Sequence, residues 1–168
     1  MEIILDERAI AKRVRELGRE IGAYYGEDMV TLVVLANGAL IFGADLARAI
    51  TSPLQWDVLS VHSYSQDRSS GKVNIRSGLK LDPRGRRILL VDEVLDTGVT
   101  LAAIRKNLLD AGAKEVRTAV MVEKLRPRPA GLEHADWRGA ELPDRYLVGY
   151  GLDSREDHRN LPYIAALD

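Results

Sequence analysis

Residues 87–101 read Arg87-Ile-Leu-Leu-Val-Asp-Glu-Val-Leu-Asp-Thr-Gly-Val-Thr-Leu101. After its first residue, Arg87 to Val91 is wholly apolar, the pattern of a strand buried on both faces of a parallel sheet. Two carboxylates follow at once, Asp92 and Glu93, and a third, Asp96, precedes Thr97-Gly98-Val99-Thr100. Helical spacing then runs from Leu101 to Ala111 and closes at Gly112. A strand that turns directly into a helix predicts a βα unit. Parallel sheets bind ligands at the carboxyl ends of their strands, which is where these three acids are expected to stand.

Outward from this stretch the alternation repeats. Asp6 can cap a helix whose Ile10, Val14, Leu17 and Ile21 recur three or four residues apart, and Gly26 can end it in a left-handed conformation. Thr31 to Ala36 reads as a second buried strand, broken by Asn37-Gly38. A helix is predicted over Ala39 to Ile50 with Ile41, Leu46 and Ile50 inward, and a strand over Leu54 to His62. Ser63 to Asn74 is polar and rich in Gly and Ser, which predicts a loop or hairpin. Glu115 to Glu123 is another strand, wholly apolar from Ala119 to Val122. Beyond Arg126 the chain is rich in Pro and Gly, with a short strand near Tyr146 to Val148. The expected fold class is α/β, a right-handed parallel sheet core flanked by helices.

The 168 residues suit a single domain, since domains usually hold about 100–200. Apolar residues make up 46% and charged residues 29%, an ordinary globular balance. A formal net charge of -1 argues against a protein that coats nucleic acid, though it leaves room for a local phosphate pocket. With no cysteine there is no disulfide, thiolate nucleophile or cysteine-based zinc site. His62, His134 and His158 show no metal-binding spacing and read as structural or solvent-facing. No apolar stretch reaches the roughly 18 residues of a membrane span, and residues 1–17 lack the apolar core of a signal peptide. A soluble, cytoplasmic protein without membrane or nucleic-acid partners is expected.

The acids and the loop after them suit a sugar phosphate. Backbone amides at a helix start form a ready anion site, Gly98 permits close approach, and Thr97 and Thr100 add hydroxyl donors. Carboxylates nearby can accept from a vicinal diol. Neither the Walker A spacing nor the dinucleotide Gly-x-Gly-x-x-Gly fingerprint is present.

This segment closely resembles the phosphoribosyl-diphosphate (PRPP) signature of type I phosphoribosyltransferases. Leu142-Pro-Asp-Arg-Tyr-Leu-Val-Gly-Tyr-Gly-Leu-Asp153, with Tyr163-Ile164 after Arg159-Asn-Leu-Pro162, resembles the purine-binding hood of the hypoxanthine-guanine branch. The resemblance implies one phosphoribosyltransferase domain over 1–168, its hood drawn mainly from about 126–168. It implies purine salvage, in which a 6-oxopurine and PRPP give IMP or GMP and pyrophosphate with Mg2+ as cofactor. Asp92 and Glu93 would hold the ribose hydroxyls directly or through magnesium, and Asp153 a second magnesium. Asp96 matches the general base, and the stretch from Asp96 through Thr97, Gly98, Val99 and Thr100 would bind the 5′-phosphate. Lys124 matches the lysine that donates to the 6-oxo group, Tyr146 the aromatic that stacks on the base, and Leu147 the backbone that reads its edge beside Asp153. Arg159, with Asn37 and Gly38, would hold pyrophosphate. Ser63-Tyr64 matches a lid. A homodimer or homotetramer is implied.

Two features depart from the family pattern. The first pyrophosphate loop usually reads Leu-Lys-Gly, often with a cis peptide; here it is Ala36-Asn37-Gly38, so a lysine-dependent contact is lost while a backbone role survives. The acidic pair is Asp-Glu rather than the commoner Glu-Asp or Asp-Asp. A second class of function on the same fold is a regulatory protein that senses PRPP or nucleotides and binds nucleic acid; neither an added segment nor net positive charge supports it. A sister transferase for adenine or a pyrimidine is argued against by Lys124 and the hood motif.

Overall fold

The buried runs assemble around one sheet. The computed structural model describes residues 1–62 and 74–167. Along the chain lie β1 (Glu2–Leu5), α1 (Glu7–Tyr25), β2 (Val30–Ala36), α2 (Leu40–Ala49), β3 (Leu54–His62), β4 (Asn74–Ser77), β5 (Arg87–Leu95) and α3 (Val99–Asp110). Then follow β6 (Glu115–Leu125), β7 (Trp137–Pro143), β8 (Leu147–Val148) and β9 (Ile164–Ala166). The main sheet has the order β4-β3-β2-β5-β6-β7. Its last five strands are mutually parallel, and β4 joins antiparallel at the edge. A second sheet, β1-β9-β8, is antiparallel.

Register sets the sheet's edges. Val30 pairs with Leu54 on one side and Arg87 on the other, and Arg87 pairs with Glu115. These residues form one row at the amino edge, so Ala36, Ser60 and the Asp92–Leu95 segment emerge together at the opposite edge. The chain passes from β2 outward to β3 and later returns to β5 on β2's other side. The carboxyl ends of β2 and β5 therefore diverge into a crevice, the place where open parallel sheets bind ligands.

Helices cover both faces. On α1, Asp6 accepts from the Ala9 amide at 2.8 Å, and Ile10, Val14, Leu17 and Ile21 are buried, as their spacing predicts. Gly43 of α2 lies against Val34. Leu59 is in the row of Leu35 and so faces the other way, lining a groove with Ile104 and Leu108 of α3.

Several boundaries differ from expectation. On α2 the inward residues are Phe42, Gly43 and Leu46, whereas Ile41 is 38% exposed; the buried stripe starts from Ala39 and recurs at 42, 43 and 46, leaving position 41 outside it. Asn74 opens β4 instead of ending a loop. The strand β5 continues past Val91 to Leu95 because β6, itself running to Leu125, keeps pairing with it as far as Leu95 and Glu123. Besides β4, the strands β1, β7 and β9 had no clear signal in the sequence. β1 and β9 are only four and three residues long, and β7 mixes Arg and Glu with apolar residues because it forms the sheet's far edge.

Candidate active site

At the crevice between β2 and β5 opens a cavity of about 480 Å³. Its walls come from Leu35–Gly38, from Asp92–Gly98 with Thr100 and Leu101, from Ser60, and from Asp153, Glu156 and Arg159. Asn37 and Gly38, the acids, the loop and Arg159, which the sequence singles out in separate stretches, thus share one space. Val99, Lys124, Tyr146 and Leu147 are not among its lining residues. Ser63 and Tyr64 lie outside the described residues.

The cavity floor is built by close backbone approach. The Ala36–Asn37 peptide is cis. A side chain on Gly38 would collide with the Glu93 carboxylate, and one on Gly151, at φ +99, would collide with the Gly38 carbonyl. Gly151 thereby lets the segment after β8 seat itself on the loop after β2. Asp92 Oδ1 accepts from the Glu93 amide at 2.9 Å. Burial first, and then the charge of Glu93, push the Asp92 carboxyl well above the ordinary carboxylate range.

The loop expected to take the phosphate is a short bridge, Asp96 to Gly98, between β5 and α3. Gly98 stands at φ +74 and ψ -1 as the N-cap of α3 and has no side chain of its own to cap the first turn; the Val99 amide donates to Thr97 Oγ1 at 3.4 Å. Among the described residues no side chain accepts from the Thr100 and Leu101 amides, which suits an anion, and the Thr97 and Thr100 side chains flank them. Gly131 and Leu132 press on the loop from behind, and the Leu132 amide donates to Gly98 O at 3.0 Å.

Lys124 is the penultimate residue of β6, and its ammonium reaches back to Asp96 Oδ2 at 3.2 Å. The buried Arg128, which sequence reasoning did not single out, ties the two strand ends together. Its Nε donates to Asp96 O at 2.9 Å, Nη2 to Leu95 O at 3.4 Å and also to Lys124 O, and Nη1 to Glu133 O at 2.8 Å. Behind it the buried Glu123 accepts from the Ala135 amide at 3.1 Å and meets His134 Nδ1 at 2.6 Å.

Across the cavity Arg159 gathers its surroundings. Nη2 lies 3.2 Å from Asp153 Oδ1 and 3.1 Å from Glu156 Oε2, Nη1 donates to Gly151 O at 2.7 Å, and Nε is buried without a partner among the described residues. Glu156 had no signal in the sequence; it joins the wall from a turn in which Arg155, Glu156 and His158 all have positive φ. Tyr146 is 57% exposed, and its hydroxyl donates to Asp153 O at 3.5 Å. Leu147 is buried on β8, an edge strand with β9 as its one sheet neighbour.

Charge compensation is uneven. Of the five carboxylates lining the cavity, Asp96 pairs with Lys124 and Arg126, and Asp153 and Glu156 pair with Arg159. Among the described residues, Asp92 and Glu93 have no cationic partner. Oxygen donors left in this condition suit a hard divalent cation. No three His, Cys, Asp or Glu side chains form a preassembled metal cage among the described residues. A Mg2+ held by one or two carboxylates and by substrate phosphates needs no such cage.

Comparison with known proteins agrees with this geometry. Residues 1–155 match the family described as the phosphoribosyl transferase domain. The hypoxanthine-guanine phosphoribosyltransferase of Aquifex aeolicus is 40% identical over 166 residues, covering 98% of this chain and 93% of that protein. Its counterpart in Bacillus subtilis is 36% identical, covering 99% and 92%. The crystal structure of a hypoxanthine phosphoribosyltransferase from Staphylococcus aureus superposes with a TM-score of 0.93 at 31% identity, over all of this chain and 91% of that one.

Proposed function

The chain belongs to the phosphoribosyl transferase family, and from that membership and the chemistry of its cavity we propose that it transfers the 5-phosphoribosyl group of PRPP to a 6-oxopurine. The bond from C1′ to the pyrophosphate oxygen breaks, the bond from C1′ to purine N9 forms, and the purine loses a proton. Hypoxanthine then yields IMP and guanine yields GMP, a purine-salvage reaction.

The observation that carries this reading is the meeting, at one strand crossover, of an acid pair without a cationic partner among the described residues, a helix start at Gly98 and, beside the cavity, the Lys124–Asp96 ion pair. Asp96 is the group that takes the purine proton, and a positioned base of this kind contributes about 10²–10⁴-fold. The leading amides of α3, with Thr97 and Thr100, hold the 5′-phosphate. Asp92 and Glu93 hold the ribose hydroxyls, and with Asp153 they are the residues that would hold Mg2+. That ion, when bound, neutralises charge developing on the departing pyrophosphate. Arg159 and the backbone at Asn37 and Gly38 orient the same leaving group, while Tyr146 and the Leu147 backbone bind the base. Ser63 and Tyr64 are assigned to the lid by family resemblance alone, as is assembly into a homodimer or homotetramer. No helix among the described residues is long and apolar enough to cross a membrane.

Lys124 gives the site its preference. An ammonium donates and cannot accept, so it complements a 6-oxo group and opposes the 6-amino group of adenine. A site built on one such bond rejects the mismatched analogue by orders of magnitude. The test is initial-rate measurement with PRPP and Mg2+ against hypoxanthine, guanine, xanthine and adenine at equal concentration. Turnover of hypoxanthine or guanine with adenine inert is expected, and Lys124→Gln should narrow the gap. Rapid adenine turnover by the unmodified protein removes Lys124 from its role. Nucleotide binding without any turnover supports the regulatory reading instead.

A further inference from the structure

Beside the cavity four side chains close a ring of alternating charge. The Lys124 ammonium lies 3.2 Å from Asp96 Oδ2 and 3.3 Å from Asp144 Oδ1. Arg126 Nη1 lies 2.6 Å from Asp96 Oδ1 and 3.3 Å from Asp144 Oδ2. Each cation bridges both acids, each carboxylate oxygen is used once, and the formal charges cancel. Strand register makes the ring possible. Lys124 pairs with Leu142 and Leu125 with Pro143 across the parallel β6 and β7, so Asp144 leaves the end of β7 level with Arg126. The same short connection then leads to Tyr146.

We infer that Asp144 is a positioning residue for the purine site: it holds the Lys124 ammonium midway between two acids, so that Asp96 alone does not set where its remaining donor points. The inference rests on the functional reading above. An ammonium has three donors; the ring uses two and leaves one for the 6-oxo group. Removing Asp144 leaves Asp96 as the remaining acidic partner of Lys124. The ammonium is enclosed, its side chain 13% exposed, so water screens that attraction less than it would at the surface. Lys124, already 3.2 Å from Asp96 Oδ2, is then drawn toward that acid alone, which withdraws its donor from the base edge. Arg126 is held less strictly, because its own pair with Asp96 is more open to water.

The experiment compares the full chain with Asp144→Asn, Lys124→Gln and the double variant, using PRPP, Mg2+ and each purine. Asp144→Asn is expected to raise the KM for hypoxanthine about tenfold, the scale of one charge-assisted hydrogen bond. The KM for PRPP should stay within about twofold, and the hypoxanthine-to-adenine ratio of kcat/KM should fall. Asp144→Glu should recover most of the loss. In the Lys124→Gln background Asp144→Asn should have little further effect, because the two act through one contact. Asp144→Ser replaces Asn if that variant fails to fold. An unchanged purine KM, or an equal loss in both backgrounds, overturns the inference while leaving the function intact. Absence of turnover by the unmodified protein overturns the functional reading, and this inference with it.

Discussion

Replacing Gly98 with Ala perturbs the phosphate loop at its tightest point. Two independent costs can be worked from the geometry. The residue stands at φ +74, where an L-residue pays about 1–2 kcal/mol. A Cβ there would also lie 2.7 Å from Leu132 N and closer still to Leu132 O, whereas ordinary contact begins near 3.4 Å. Leu132 must retreat by at least about 0.7 Å, which breaks its 3.0 Å hydrogen bond to Gly98 O. Overpacking of this kind costs about 1–3 kcal/mol. The sum is about 2–5 kcal/mol, equivalent to a fall in Tm of roughly 5–20 °C for a chain of this size. Gly85→Ala provides the internal control. Its φ of +72 is nearly the same, but nothing lies within 4 Å of the added methyl, so it should show the conformational cost alone. Thermal unfolding reads both variants, and calorimetry with IMP and with hypoxanthine reads the site. IMP affinity should drop at least tenfold in Gly98→Ala, with hypoxanthine affected less. Equal Tm losses in the two variants, or equal weakening of nucleotide and base, would refute the argument that Leu132 locks the phosphate loop.

Two further outcomes follow from the acids. Asp92 is pushed up by burial and by Glu93, so its charged form costs stability once the pH exceeds the unfolded-state value near about 3.9, and the full cost is present above its raised folded value. Asp92→Asn should therefore match the unmodified protein in acid and become the more stable as the pH rises, while losing the stabilisation by added Mg2+; a melting difference that ignores pH contradicts this. Asp96→Asn should keep the fold and bind PRPP but slow the chemical step by about 10²–10⁴-fold, and a near-normal single-turnover rate with hypoxanthine would remove Asp96 as the base.

How much of this was readable from the sequence depends on how local each feature is. The buried runs Val33-Val34-Leu35 and Leu89-Leu90-Val91 announce parallel strands because both faces are covered, and Asp96-Thr97-Gly98-Val99-Thr100 announces a tight strand-to-helix turn because its elements are contiguous. Gly98 was legible as a close-approach glycine, but its neighbour Leu132 was not, since no local pattern links a Pro-rich connection to a loop formed some thirty residues earlier. Arg126 and Asp144 fail for the same reason. They meet only through the register of β6 with β7, and β7 carries the mixed composition of an edge strand. On α2 a single slip along the helix exchanged Ile41 for Phe42, because consecutive apolar residues fit two adjacent helical faces almost equally well.

Charge compensation explains why the ligand-facing residues are the ones they are. The polyanionic donor proposed for this cavity would meet five carboxylates there, an electrostatic contradiction until each acid's partner is identified. Asp96 is held by Lys124 and Arg126, and Asp153 and Glu156 by Arg159, so these acids present little net repulsion to a phosphate. Asp92 and Glu93 are left over among the described residues, and burial makes the charge on Asp92 costly. A half-buried acid pair with no cationic partner among the described residues, beside the proposed phosphate site, supports the proposal that a cation arrives with the substrate. On the proposed role of Mg2+, the cost of charging Asp92 and the use of the ion have one origin, and Asp92→Asn should improve the fold while lowering activity.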